Sequence, residues 1–158
     1  MKTLITFESF FGNTETIARS IAQGLSLDPE QHVHRVSAVT PQHLENLQLI
    51  IVGSATRGFT MCPDTKTFLK GLPPHALRGV CVAAYDTRVD IETVDNRFLT
   101  FMVTLFGYAA EKIEKKLKRL GGRVAGDYAG FIVEDSEGPL REGEQARAQE
   151  WARGLRVP

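Results

Sequence analysis

Short apolar segments alternate along this chain with segments in which apolar residues recur at helical spacing. The apolar segments predict five strands, at about 2–7, 32–37, 48–53, 79–85 and 123–134. The segments between them predict helices at about 14–25, 64–71, 107–120 and 142–155. The run from Leu49 to Val52 has no polar interruption, as expected for a central strand covered on both faces. The alternation therefore predicts an α/β fold of three layers, in which a doubly wound parallel sheet lies between two layers of helices.

The composition predicts a single globular domain over residues 1–158. A chain of 158 residues, 42% of them hydrophobic, is large enough to bury a core of its own. The 19 basic residues are balanced by 19 acidic ones, so the net charge gives no indication of nucleic-acid binding.

The first residues enter a strand without a basic and apolar leader, and no apolar run reaches the roughly 18 residues of a membrane span. We therefore expect a cytoplasmic protein with no membrane segment. Cys62 and Cys81 lack Cys-x-x-Cys spacing, and we expect both to be reduced thiols.

The loop between the first strand and the first helix is rich in polar donors. It follows Phe7 and runs from Ser9 through Asn13 to Thr14, where the helix begins. Unpaired N–H groups and the positive end of the helix dipole favour an anion at such a position. The loop has no lysine, so it is not the triphosphate-binding Walker A motif. It predicts a site for the phosphate of a small cofactor; the alternative is a capped helix that begins with a glycine turn.

The sequence Ser9-Phe10-Phe11-Gly12-Asn13-Thr14 resembles the phosphate-binding signature of the flavodoxins, Thr/Ser-x-Thr-Gly-x-Thr, with Phe11 in place of the usual Thr. The resemblance implies a flavodoxin-like sheet with the strand order 2-1-3-4-5, and FMN bound where strands 1 and 3 end. The fifth strand lacks the insertion of long-chain members, so the chain resembles the short-chain type. FAD is disfavoured, because no second nucleotide-binding segment is evident.

By this resemblance, the loop after strand 3 covers one face of the flavin. It contains Ala55, Thr56, Arg57, Gly58 and Phe59. Arg57 stands where the family often has Trp, so either Arg57 stacks on the ring or a later residue, Phe59 or Met61, covers it. Gly58 is suited to the peptide flip by which the family offers a carbonyl to flavin N5. The alternative for this segment is a mobile turn that binds nothing.

The loop after strand 4 is expected against the other flavin face. It contains Tyr85, Asp86, Thr87 and Arg88, and the resemblance implies that the amides of residues 86–88 contact flavin O2 and N3. The aromatic residue usual in this loop is missing, unless Tyr85 or Phe98 replaces it. Asp86 is equally suited to be a turn former.

The remaining polar patterns do not indicate catalysis. His32 and His34 share one face of a predicted strand, but no third ligand accompanies them, so no metal site is predicted. His43 and His75 are expected at the surface. The sequence suggests no Ser-His-Asp, Cys-His or paired-carboxylate arrangement, and no catalytic residue is assigned.

The resemblance favours an FMN-binding electron-transfer protein that serves redox partner proteins. Two alternatives share the fold: a small FMN-dependent reductase acting on quinones with NAD(P)H, and a non-redox domain that binds a phosphate or an effector. A response-regulator receiver is disfavoured, because this chain has only Glu8 after strand 1 and Gly53-Ser54 where the receiver has its Asp. Flavodoxins tend to be acidic, whereas this chain is neutral, so its charge does not predict which surface binds the partners.

The segment before the third helix is unusually apolar. Phe98, Phe101, Met102, Leu105 and Phe106 fit one face of a short helix at 98–106. We favour a helix that extends the core and caps the flavin crevice; the alternative is an apolar patch that binds a second copy of the chain, as a homodimer, or a redox protein.

The next helix has a basic face. It carries Lys112, Lys115, Lys116, Lys118 and Arg119, and we interpret this as an ordinary solvated face rather than a docking site for an anionic partner.

Overall fold

Strands and helices alternate along residues 1–91 and 96–158, which this computed structural model describes. The strands are β1 (Thr3–Glu8), β2 (Val33–Arg35), β3 (Leu49–Arg57), β4 (Thr60–Met61), β5 (Cys81–Val89), β6 (Arg123–Val124) and β7 (Ala129–Val133). The helices are α1 (Asn13–Gly24), α2 (Pro29–His32), α3 (Pro41–Leu44), α4 (Pro63–Gly71), α5 (Arg97–Phe106), α6 (Ala109–Arg119) and α7 (Glu144–Arg153). The fold is the predicted α/β type.

The parallel strands lie in the order β2-β1-β3-β5, and β6 and β7 both pair with the outer side of β5. This is the predicted order 2-1-3-4-5, with the fifth position shared by two short strands instead of one strand over 123–134. Strand β4, which was not predicted, forms an antiparallel hairpin with the end of β3.

Alternate residues of each central strand point to opposite faces of the sheet, and each face has its own core. On one face, Ile5 and Ile51 pack with residues of α1 and α7. On the other, Ile50 and Val52 pack with residues of α4 and α6. Because both faces are covered, the central strands are apolar throughout, which is the pattern that identified them in the sequence.

Three strands differ from the prediction in length. Strand β3 runs to Arg57 instead of ending near residue 53, so residues 55–57 of the predicted loop belong to the sheet. Strand β5 continues to Val89, so the predicted loop at 86–88 belongs to the sheet. Strand β2 is only three residues long and leads into a 3-10 helix at Val36–Ala38. Residues paired with a neighbouring strand on each side stay in the ladder despite polar side chains, and this tertiary pairing extends β5.

Helix α5 is present where its spacing predicts it, but it does not extend the core. None of its residues is buried, and Phe98 and Phe101 are 65% and 60% exposed. Our favoured interpretation of this segment was therefore wrong, because α5 lies outside both core clusters. Among the described residues, no helix has the length and apolar character needed to cross a bilayer.

Gly53 provides the space for the largest side chain of the core. A Cβ at this position would lie 2.0 Å from Cζ of Tyr85, its partner on β5. The Tyr85 ring is fully buried and packs edge-on against Phe131, with centroids 6.2 Å apart, so it has no room to withdraw.

We expect Gly53→Ala to lower the free energy of unfolding by about 1–3 kcal/mol or more, because it overpacks the core. Urea denaturation of the purified protein measures this. Gly71→Ala, at the last residue of α4 with no neighbour within 4 Å of the added methyl, is the matched control and should be neutral or slightly stabilising. Equal stability of the two variants would contradict the tight Gly53–Tyr85 contact.

Candidate functional site

A crevice opens at the carboxyl ends of the parallel strands, as expected for a doubly wound sheet. It has a volume of about 180 Å³. Its walls are Ser9, Phe10, Phe11, Asn13, Thr14, Ala55, Thr56, Arg57, Gly58, Thr87, Arg88, Val89, Val133 and Ser136. No Asp or Glu is among the described residues that line it, so an anion entering the crevice meets no wall carboxylate.

The loop after β1 presents the start of α1 to this crevice. Gly12 turns the chain with φ of +90°, a conformation that favours glycine, and Ser9 Oγ accepts a hydrogen bond from its N–H at 3.0 Å. Helix α1 then begins without a side-chain cap. Its first-turn N–H groups are therefore the kind of site that binds a phosphate.

A pair of buried hydroxyls lies behind this loop. Thr14 Oγ1 and Thr87 Oγ1 are 2.8 Å apart, and each residue is at most 5% exposed. Two hydroxyls that share one hydrogen bond retain one hydrogen to donate elsewhere. The pair thus offers a neutral donor, and it brings Thr87 into the site through its side chain rather than through the predicted amide.

The loop after β7 forms a third wall that the sequence interpretation missed. Val133 and Ser136 line the crevice, and the backbone carbonyl of Glu137 accepts a hydrogen bond from Asn13 Nδ2 at 3.0 Å. The carboxyl ends of parallel strands gather at one edge of the sheet, and this holds for β7 as well. The polar residues that follow Val133 in the sequence could therefore have indicated this wall.

The end of β3 and strand β4 form a β-hairpin. Gly58 and Phe59 both have positive φ, of 52° and 63°, as a two-residue hairpin turn requires. Nζ of Lys112 donates a hydrogen bond to the Phe59 carbonyl, and the Phe59 ring lies 6.2 Å from that of Phe106. These contacts hold the hairpin against α6 and α5.

The hairpin places its side chains differently from the prediction. Met61 is 8% exposed and belongs to the core beside α4 and α6, so it does not cover a ring in the crevice. Phe59 faces α5 and does not line the crevice either. Arg57 does line it, and its guanidinium lies 4.7 Å from the centre of the Phe10 ring. The Arg57 and Phe10 side chains thus lie together at the mouth.

Arg88 is held by a buried ion pair. Its Nε and Nη2 donate to the two Asp86 oxygens at 2.6 and 2.8 Å, and the Ala110 N–H donates to Asp86 Oδ2 at 2.9 Å. Asp86 is fully buried and is therefore not a turn former. Burial raises the pKa of the Asp86 carboxyl, and the ion pair with Arg88 offsets only part of that effect.

The rest of the Arg88 guanidinium lies between a ring and a glycine. Cζ of Arg88 lies 3.5 Å from the centre of the Tyr108 ring, and a Cβ at Gly130 would come within 2.2 Å of the same Arg88 atom. Tyr108 is thus the aromatic residue beside this wall, and the sequence interpretation missed it.

Three predictions for the segment at 85–88 and for α5 were wrong. Tyr85 was expected to contact the flavin, but it is 0% exposed, and its hydroxyl donates to the Thr14 carbonyl at 3.3 Å inside the core. Phe98 does not line the crevice. The backbone of Asp86 and Thr87 pairs with β3 on one side and β7 on the other, so these amides lie in the sheet rather than in a loop.

The histidines do not gather into a metal site. His32 ends α2, where its Nδ1 lies 2.9 Å from the Thr3 carbonyl, while the His34 ring packs 4.3 Å from that of His43. The described residues contain no group of three or more His, Cys, Asp or Glu arranged to hold a metal ion.

Comparisons with known proteins agree with this geometry. The Flavodoxin family model matches residues 5–151. Oxidised flavodoxin 1 from Bacillus cereus has a TM-score of 0.73 at 18% identity, over 98% of this chain and 96% of that chain. A flavodoxin from the domain Archaea has a TM-score of 0.67 at 18% identity, over 97% of this chain and 94% of that chain.

The WrbA-like protein from Agrobacterium tumefaciens has a TM-score of 0.71 at 14% identity, over 97% of this chain and 93% of that chain. At these identities the likeness shows the fold. The search of curated proteins found no match. Because the family model covers nearly all of the sheet and the crevice, the chain belongs to the flavodoxin family, whose members are FMN-binding electron-transfer proteins.

Proposed function

We propose that the crevice holds FMN, with its phosphate at residues 9–14, and that the protein carries electrons between redox partner proteins. The observation that carries this proposal is the start of α1, which has no side-chain cap and opens into a crevice whose described lining contains no carboxylate. The residues present fit a phosphate, because they combine free helix N–H groups with the spare donor of the Thr14–Thr87 pair.

When bound, FMN supplies the redox chemistry, and the protein residues bind it and set its surroundings. We expect the flavin ring to lie between Arg57 on one side of the crevice and Thr87 and Arg88 on the other. Phe10 and Phe11 at the rim are 53% and 50% exposed, which leaves the mouth open for electron exchange with another protein. Cys62 and Cys81 are buried free thiols, and we propose a cytoplasmic location, where thiols stay reduced.

The visible spectrum of freshly purified protein, with mass analysis of the released cofactor, tests the proposal directly. A yellow protein that releases FMN supports it. A colourless protein that also fails to bind added FMN would favour the non-redox alternative. Rapid turnover of NAD(P)H with a quinone would instead favour the reductase.

Replacing Ser9 and Thr14 together with Ala should weaken FMN binding by about 2–4 kcal/mol, from about 1–2 kcal/mol for each hydrogen bond to a charged group. Fluorescence titration of the apoprotein with FMN measures the affinity. Thr16→Ala is the matched control, because Thr16 lies in the same turn of α1 but donates its hydroxyl hydrogen to the Gly12 carbonyl and does not line the crevice. Unchanged affinity in the double variant would rule out this phosphate site.

Arg57→Trp should lower the potential of the last reduction step, because a nearby cation stabilises the negative charge that the cofactor gains. Arg57 forms no ion pair with a described residue, whereas the charge of Arg88 is balanced by Asp86. A spectroelectrochemical titration measures the potential. Arg57→Lys keeps the charge and should stay close to wild type; if Lys and Trp shift the potential equally, the cation is not the cause.

The exposed apolar face of α5 leads us to propose a homodimer formed through residues 98–106. Phe98→Ser and Phe101→Ser should convert the dimer to a monomer while leaving FMN content and stability unchanged, since both side chains are exposed. Analytical ultracentrifugation measures the mass, with Thr104→Ala on the same helix as the control. A wild-type protein that is monomeric at high concentration would contradict the homodimer.

A further inference from the structure

A basic groove runs beside the crevice, between α4, α6 and the β3–β4 hairpin. We define it by six cationic residues that line two adjoining hollows of about 770 and 260 Å³: Arg57, Lys66, Lys70, Lys112, Lys116 and Arg119. Met61 and Leu69 contribute an apolar floor. The sequence interpretation assigned the basic residues of α6 to a solvated face, but three of them face the lysines of α4 across this groove.

The charge of the groove is not balanced by a carboxylate on its described walls. No Asp or Glu is among the described residues that line either hollow, and Lys66, Lys70, Lys116 and Arg119 form no ion pair with a described residue. On the same helix but outside the groove, Lys115 is paired with Glu111 at 2.6 Å. In a chain of zero net charge, this separation concentrates positive potential at one surface.

The walls of the groove are fixed in place. Glu8 Oε2 accepts hydrogen bonds from the N–H and hydroxyl of Thr65, at 2.8 and 3.1 Å, which anchors the first turn of α4 to the end of β1. Lys112 ties α6 to the hairpin through the Phe59 carbonyl. A surface whose walls are held in this way is preorganised for binding, because little ordering remains to be done.

The groove is continuous with the crevice. Phe10, Arg57 and Gly58 line both, so a partner seated in the groove touches the rim of the proposed FMN site. An apolar floor within a charged rim is the composition of a protein interface. Among the described residues that line the groove, Phe10 at the crevice end is the only aromatic one, whereas single-stranded nucleic acid is usually held by stacking on several aromatic side chains.

We propose that the basic groove docks the acidic face of a redox partner protein. That the partner is a redox protein rests on the proposed function; that its surface is acidic rests on the groove alone. Flavodoxins tend to be acidic, so a basic docking surface is the reverse of the charge that is usual in the family. Charge complementarity would then guide the partner to the crevice mouth and shorten the path for electrons.

The test uses the full-length protein and a charge-reversal variant, Lys66→Glu with Lys116→Glu. The control is Lys118→Glu with Arg78→Glu, two exposed residues that lie outside the groove. Binding of poly-L-glutamate is measured by calorimetry at several salt concentrations. We expect the groove variant to weaken binding about tenfold or more, the control by less than about twofold, and the wild-type affinity to fall as salt rises.

Electron transfer gives a second readout. The reduced protein is oxidised by ferricyanide, an anion, or by tris(phenanthroline)cobalt(III), a cation. The groove variant should slow the first reaction and accelerate the second, while the control changes neither.

Equal weakening of poly-L-glutamate binding by both variants would overturn the proposal. It would also be overturned if oligothymidylate bound more tightly than poly-L-glutamate through the same lysines, since the occupant would then be nucleic acid. A protein that never binds FMN but still binds poly-L-glutamate through the groove would overturn the proposed function and leave the acidic partner in place.

Discussion

The in-register parallel pairing of β1, β3 and β5 is the constraint on which the rest of the structure depends. It aligns Glu8 with Ser54, and Ser54 with Asp86, so the three strands deliver their following residues to one edge of the sheet. The crevice, the uncapped start of α1 and the hairpin all lie there. Because both sheet faces are sealed by helices, this edge is where the fold can present backbone donors to a ligand.

Electrostatics then separate two arginines that look equivalent in the sequence. Arg88 lies on β5 two residues after Asp86, on the same face of the strand, and the two form a buried ion pair that also holds the first turn of α6. Removing either partner of such a pair leaves an uncompensated charge, which makes it structural. Arg57 extends over Phe10 at the surface and has no carboxylate partner within the described part of the chain, so its charge remains available to a ligand.

The surface around the crevice also has two distinct regions. The α5 side is apolar and exposed, and the α4–α6 side is cationic with an apolar floor. Two faces of different chemistry beside one site are suited to two kinds of surface, one apolar and the other acidic. The neutral total charge of the chain hides this division, because it adds the cations of the groove to carboxylates that are not among the described residues lining it.

The sequence by itself determined the central strands, the longer helices and the loop at residues 9–14, since these depend on periodicity and turn chemistry between near neighbours. The order of the strands in the sheet followed from the resemblance to the flavodoxins, not from these local patterns. The sequence also indicated the glycine turn at Gly12, whereas Gly58 was expected to permit a peptide flip and proves to turn the β3–β4 hairpin. The tertiary structure alone decided that Tyr85 fills the core, that Thr14 meets Thr87, and that the lysines of α4 and α6 share a groove. These contacts join residues far apart in the chain, and only the packing of helices on the sheet determines which side chains meet.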